Sequence, residues 1–439
     1  VNHAPRPPAD APERQALHAE LHARPAARIR LPALVVYVAV RHAGLDEDAE
    51  LAHLRRLPGH DTLDRQDLAH QFLRLKLRLP ELSGALKWER HSEFTRYSLT
   101  LPLPELSEQE PAIPAALADW IAAIPGQTLV ALQLAMLARP DTDEAAQALA
   151  RQWLGDAALV ASRLGRSAHS LVFSDLRLRD SGFERMLLLT DGSPTETPTQ
   201  LRNGRLAQRV LEFQTYRVMA LLGLPLAKSL SPELGACERE LAQLTDALQR
   251  EPQAEQQQLD TLIALAARVE HLTARHGYRF AATRAYHGIV QQRLVELAES
   301  ALPGIQTLGG FTLRRLTPAM ATVQSTADRL ASLSQRIERC SALLRTRVDI
   351  AAEAQQQRLL SQLTRGQALQ LSLQTTVEGL SIAAISYYVV SLLGYGLKAL
   401  KSAGVPLNLE IATGAMIPLV LWGVWRGTQR IHARLNLPH

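Results

Sequence analysis

GLSIAAISYYVVSLLGYGL, residues 379–397, is a run of 19 residues without a charge. As a helix rising 1.5 Å per residue it is roughly 28 Å long, close to the hydrocarbon thickness of a bilayer. A second uncharged run, Ile411 to Trp425, comes after it with Pro418 inside. At roughly 22 Å it is short for a span on its own. Its ends compensate: Trp422 and Trp425 stand where an aromatic belt sits, and Arg426 and Arg430 can snorkel. Pro418 removes one helix hydrogen bond, which membrane helices tolerate. The two runs read as a transmembrane hairpin, with helices over 377–400 and 411–434 and an extracytoplasmic loop over 401–410. A buried hairpin of a soluble domain is the competing reading, and the length of the first run argues against it.

The flanks set the expected orientation. The loop Lys398 to Glu410 carries two basic residues and one acidic, whereas the outer flanks carry Arg358, Arg365, Arg426, Arg430 and Arg434 against Glu378. That bias predicts both termini in the cytoplasm of a bacterial inner-membrane protein. The first residues, VNHAPRPPADAPERQ, have no apolar h-region and read as a mobile tail over 1–15.

Composition narrows the remainder. The 439 residues are 46% hydrophobic and 21% charged, which excludes disorder for the bulk of the chain, and a mean hydropathy of -0.07 excludes a mostly membrane-embedded one. The two cysteines, Cys237 and Cys340, exclude a disulfide framework or a four-cysteine zinc site within one chain. Of the net charge of +5, residues 377–439 hold five basic and two acidic groups, so the residues upstream carry only +2. Arg alternates there with Glu and Asp, and aromatics are 5%, so a nucleic-acid face is not expected.

Residues 16–195 read as a cytoplasmic α/β domain. LVVYVAV (34–40), FLRLKLRL (72–79), EFTRYSLTL (93–101), LVALQLAML (129–137), ALVASRL (158–164) and RMLLLT (185–190) have strand character, with helices near 46–57, 114–124 and 141–154. TDGSPTETPTQLRNG (190–204) reads as a turn-rich break. Beyond it a helical region covers 205–315, with helical periodicity over 205–224, 232–250, 255–276 and 279–301. A stalk helix occupies 316–376, where Leu316, Met320, Val323, Ala327, Leu330, Ser334, Ile337, Ser341, Leu344, Val348 and Ala351 repeat at fours and threes. A helix of that length must pack on neighbours or on copies of itself.

After one five-residue step the same spacing enters the membrane run through Gln356, Leu360, Leu363, Gln367, Gln370, Gln374, Val377, Ser381, Ala384, Tyr388, Ser391 and Tyr395. The other side of the first span carries Ile382, Ile385, Val389, Leu392 and Leu393 and is lipid-like. A small and polar stripe of this kind glues a helix pair; in a ring of helices it lines a hydrated passage. Candidate pore-lining residues are therefore Gln367, Gln370, Gln374, Ser381, Ala384, Tyr388, Ser391, Gly394, Tyr395 and Gly396. A second packable register runs through Leu359, Leu363, Gly366, Gln370, Leu373 and Leu380.

LHARP (21–25), WERHSEF (88–94), QRVLEFQTYRVMALLGLP (208–225), RFAATRAYHGIV (279–290), LLRTRVD (343–349) and TVEGLSIAAISYYVV (376–390) resemble a bacterial family catalogued as predicted membrane-anchored proteins of unknown function. That resemblance implies a membrane anchor and no activity. The layout is also similar to that of the CorA-type divalent-cation channels, which are pentamers with a Gly-Met-Asn tripeptide at the outer end of the first span. Gly394-Tyr395-Gly396 stands at that place here, so magnesium selectivity does not carry over. A likeness of layout is a fold-level analogy.

Catalytic and cofactor signatures are absent. His18 and His22 are spaced for a shared metal, but Glu20 is not placed as in a zincin and no third ligand is evident. Trp88, Glu89, Arg90, His91 and Glu93 read as a domain-interface network. Gly394 to Ala399 matches a dinucleotide fingerprint formally, but it comes after a span instead of a strand. Gly309-Gly310 reads as a turn ahead of the stalk, and Glu378 and Glu410 are the only acidic residues placed to select cations. The expectation is a non-enzymatic homo-oligomer in a lipid bilayer, a pentamer by analogy, that passes an ion or small solute and takes no cofactor. The alternative is an anchored scaffold that binds a cytoplasmic protein.

Overall fold

The computed structural model describes residues 8, 10–14, 26–42, 44–80, 82–103, 105–109, 111, 113–192, 196–250, 255–402 and 409–435. Most of the expected tail, the His18–His22 segment, the LHARP motif and most of the loop between the apolar runs lie outside these residues. Two units are distinguished, Val1–Arg339 and Cys340–His439.

The first unit is built on a mixed sheet of strands β1 (Ala33–Arg41), β2 (Phe72–Leu79), β3 (Leu82–Arg90), β4 (Phe94–Pro102), β5 (Gln127–Ala138), β6 (Val160–Leu164), β7 (Ser170–Leu178), β8 (Glu184–Thr190) and β9 (Ser300–Ala301). Their order is β2-β3-β4-β1-β5-β8-β7-β6-β9. Among the described residues only β5 and β8 are parallel neighbours, and every other pairing is antiparallel. β1 is almost wholly apolar and buried along both faces, as a central strand must be. β2 is an edge strand, and its alternation buries Leu75 and Leu77 while exposing Arg74, Lys76 and Arg78. Charge on an exposed edge opposes strand addition by another chain.

Helices α1 (Glu47–Leu54), α2 (Ala115–Ala122) and α3 (Asp143–Leu154) supply one layer. Val36, Val38 and Val40 of β1 share a core with Leu54, Trp120 and Trp153 of those helices. Both indoles are anchored: Trp120 Nε1 donates to the His53 carbonyl and Trp153 Nε1 to that of Met186, each at 3.0 Å. Thr142 caps α3, accepting the Ala145 N–H at 3.2 Å, and Asp143 and Glu144 complement the dipole of its first turn.

Helices α4 (Thr197–Leu221), α5 (Gly223–Arg250) and α6 (Glu255–Leu297) come next. α4 packs on the opposite face, where the Tyr37 hydroxyl meets Thr215 Oγ1 at 2.6 Å. The break expected through 204 is shorter than its composition suggested: α4 starts at Thr197 with Pro198 in its first turn, where proline lacks only an N–H that has no helical partner. The two helices expected over 255–276 and 279–301 are one, because Gly277 costs too little to interrupt a packed helix. α5 likewise begins at Gly223 and carries Pro232 within it.

Helix α7 (Leu308–Ser402) contains the expected stalk and the first apolar run. Gly309 and Gly310 are not a turn but its first residues. Their N–H groups are taken by Glu299 Oε2 at 2.9 Å and Thr307 Oγ1 at 3.0 Å, and the Leu308 N–H by Ser162 Oγ at 2.9 Å. These bonds satisfy donors that a helix start otherwise leaves open and tie it to β6. The seam is buried at Leu316, Met320, Val323, Leu330 and Ile337, and Arg329 of the same helix grips Glu238 of α5 at 2.8 Å.

The second unit comprises α7 from Cys340 and α8 (Leu409–Leu435). The residues from 349 to 377 are exposed throughout, apolar ones included.

Candidate functional site

Among the described residues, α7 is the helix long and apolar enough to cross a membrane, and buried residues make up only 6% of its most apolar stretch. Leu380 is 68% exposed and Leu392 70%, so the described chain itself does little to cover this run. Ser361, Thr364, Thr375 and Thr376 return their hydroxyls to backbone carbonyls three or four residues earlier, which satisfies them without a partner helix.

The candidate pore residues fall into two groups. Gln367, Gln370, Gln374, Ser381, Ala384, Tyr388, Tyr395 and Gly396 are exposed, whereas Ser391 and Gly394 are partly covered. Apart from Ser391, the partly or fully covered positions in the run are Ile382, Ser386, Val389, Val390, Gly394 and Leu397. At about 100° per residue they form one face of the helix, and Ser381, Ala384, Tyr388 and Tyr395 lie on the opposite one. The lipid-like side expected from sequence is therefore divided: Ile382 and Val389 are covered, and Ile385, Leu392 and Leu393 are not. Ser386 is the buried hydroxyl, and it belongs to neither register read from the sequence. In α8 the partly covered positions are Ala412, Thr413, Met416, Val420, Val424, Gly427 and Thr428, again one face. Arg426 stacks over Trp422 at 4.8 Å and Lys398 over Tyr395 at 5.7 Å.

The WERHSEF segment spans the end of β3, the turn and the start of β4, and its charged residues pair with helices of the same unit, so the network they form lies within one domain and not between two. Glu89 sits between Lys87 Nζ at 3.0 Å and Arg96 Nε at 2.8 Å. Arg96 continues to Glu212 of α4 at 3.3 Å, Glu212 to Arg293 of α6 at 2.7 Å, and Arg293 to Glu296 at 2.7 Å. In the turn, Glu93 receives the Arg279 guanidinium and the Tyr286 hydroxyl, the latter at 2.6 Å. Glu50 of α1, fully buried, is held by Arg90 at 2.9 Å and by Thr95 Oγ1 at 2.7 Å. Opposite charges alternate along the chain of contacts, which is what offsets the cost of taking each from water.

The surroundings of these groups set their titration. Burial alone would raise the Glu212 carboxyl, but Arg96, Gln208 and Arg293 outweigh it and hold it below the usual carboxylate range. Burial lowers the Lys87 ammonium, and Glu89 opposes that only in part. Burial pushes the Tyr37 phenol up to about 12. His53 is the isolated case: burial, aided by Arg56, lowers its imidazole to about 4. Its ring stacks on Trp120 at 4.4 Å with Tyr97 edge-on at 6.1 Å, and neither ring nitrogen has a hydrogen-bond partner among the described residues.

Reading the sequence alone missed Lys87, Arg96, Glu212 and Arg293. Their visible signal was charge inside otherwise apolar strand and helix patterns, as Glu212 is within RVLEFQTYRVM. Among the described residues, no group of three or more His, Cys, Asp or Glu side chains is placed to hold a metal ion.

No curated protein and no solved structure matches the chain, so the likeness of layout to the CorA-type channels has no match behind it. A protein family does match, over residues 9–435, nearly the whole length. The sheet unit, the long apolar helix and the motifs that join them therefore all lie inside the matched region, and the chain belongs to the family described as protein of unknown function, DUF3422.

Proposed function

We propose that the chain is a homo-oligomeric, membrane-anchored protein of CorA-like build that passes an ion or small solute. In this reading residues 377–400 and 411–434 are a transmembrane hairpin in a bacterial inner membrane, with both termini cytoplasmic. The observation that carries it is the division of the α7 run into two faces. One face is partly covered within the chain. The opposite one presents Ser381, Tyr388 and Tyr395 to the outside, Tyr388 being 67% and Tyr395 69% exposed. Facing copies of itself around an axis, that stripe lines a path, while Leu380, Ile385 and Leu392 are left for lipid.

Mass measurement and imaging of the purified full chain test this. A closed ring with the first span around a continuous axis is expected, together with ion flux in liposomes that Ser391→Leu reduces without changing the subunit count. Flux unaltered by Ser391→Leu counts against this stripe as the path. The second reading, an anchored scaffold with a sealed hairpin, is favoured by the exposed leucines Leu359, Leu360, Leu363 and Leu373, which precede the uncharged run and suit a partner helix equally well. A monomer or dimer would favour it.

A further inference from the structure

On the face of the sheet that carries α1, α2 and α3, the helical layer leaves a cleft of about 550 Å³ over the two central strands. Its floor includes Val36 and Val38 of β1 and their register partners Gln133 and Ala131 of β5. One wall is α2, whose residues are apolar except for Asp119. Leu117 and Trp120 point that helix into the core, which leaves Ala118, Ile121 and Ala122 to line the cleft. The other wall is the turn joining β7 to β8, with Phe183 half-buried and Leu178 71% exposed at the rim.

Volume and chemistry together restrict an occupant. The cleft lies within the 300–1,000 Å³ typical of small-molecule sites, and its lining is predominantly aliphatic. Thr128, Gln133 and Ser181 are its uncharged polar groups. Among the described residues its one charged residue is Glu184, whose carboxylate is held by Arg217 at 2.8 and 3.1 Å. A lining without a cation offers nothing to a carboxylate or phosphate, and an apolar wall offers nothing to an ammonium. We propose that this cleft binds an uncharged aliphatic molecule, an alkyl chain with a hydroxyl or ester head, laid across β1 and β5. The site belongs to the sheet unit and does not depend on the transmembrane reading.

The test uses the full chain in lipid nanodiscs, because alkyl detergents would themselves fill the cleft. A diazirine-bearing octanol is photolysed in its presence and the labelled peptides are mapped by mass spectrometry. Saturable labelling is expected within residues 113–131 and 178–184, with octanol competing and octanoate at least about tenfold weaker, since its charge finds no partner there. Ala122→Trp, which fills the wall at an exposed position, should remove the label while Tm is retained. Label confined to residues 379–425, equal competition by octanoate, or cleft labelling that survives in Ala122→Trp would each overturn the proposal. If Ala122→Trp lowers Tm, the octanol-to-octanoate ratio in the unaltered chain decides.

Discussion

Acidification should destabilise the sheet unit through His53, and the size of the effect depends on where that ring lies. The imidazole titrates near 4 in the folded chain because burial disfavours its charged form, against an ordinary value of 6.5 when unfolded. Between those two values the unfolded chain holds more protons than the folded one. Stability therefore falls as pH drops below about 6.5, and the loss is complete below about 4. The gap corresponds to about 3 kcal/mol, a large share of the stability of an ordinary domain. His53→Phe is the matched control: it keeps a ring against Trp120 and takes up no proton. At pH 7 the variant should be as stable as the parent or more so, since two buried nitrogens without partners are replaced by carbon. Urea unfolding monitored by tryptophan fluorescence suits the measurement, because Trp88, Trp120 and Trp153 are all buried in this unit. Between pH 7 and pH 4 the parent should lose about 3 kcal/mol more than the variant. Parallel pH profiles for the two proteins would refute the reasoning, since every other titrating group is common to both.

Glu212→Gln leaves Arg96 buried with Glu89 as its remaining carboxylate partner among those described, and should cost about 3 kcal/mol in the same unfolding assay. A cost near zero would mean that the network is screened by solvent. Gly204→Ala in α4 would gain up to about 1 kcal/mol of helix propensity. It should nevertheless destabilise, by about 1–3 kcal/mol, because a Cβ there would overlap the Ala27 carbonyl oxygen and the backbone of residues 26–30 would have to move; a raised Tm would contradict that. Leu363→Glu, at a position 65% exposed, should leave unfolding of the sheet unit unchanged and lower the subunit count seen by mass measurement. An unchanged count would show that this face of α7 is not where copies meet.

Much of the architecture was legible because it rests on short-range pattern. The alternation of FLRLKLRL specifies a strand with one wet face whatever surrounds it, and the charge-free run after Gly379 specifies an apolar helix of a given length. The seam from Leu316 to Ile337 was legible for the same reason, its period being a property of a helix and not of its partners. β3 was not. LSGALKWER carries Gly84, Lys87 and Glu89 where a strand facing the core would carry aliphatics, and it is a strand because β2 and β4 pair with it on either side. The helix start at Thr197 was hidden by prolines and polar residues that suit a loop and a first helical turn equally well.

The sequence by itself determined the local periods, the charge balance and the place of the uncharged runs, since each depends only on neighbours along the chain. Tertiary structure decided the strand order, the pairing of Glu89, Arg96, Glu212 and Arg293 across four elements, and which side of the α7 run is covered. It also decided that an apolar cleft opens over Val36 and Ala131. Those features depend on contacts between residues tens to hundreds of positions apart, and no local pattern encodes which charge a buried charge will meet or where two packed layers leave a gap.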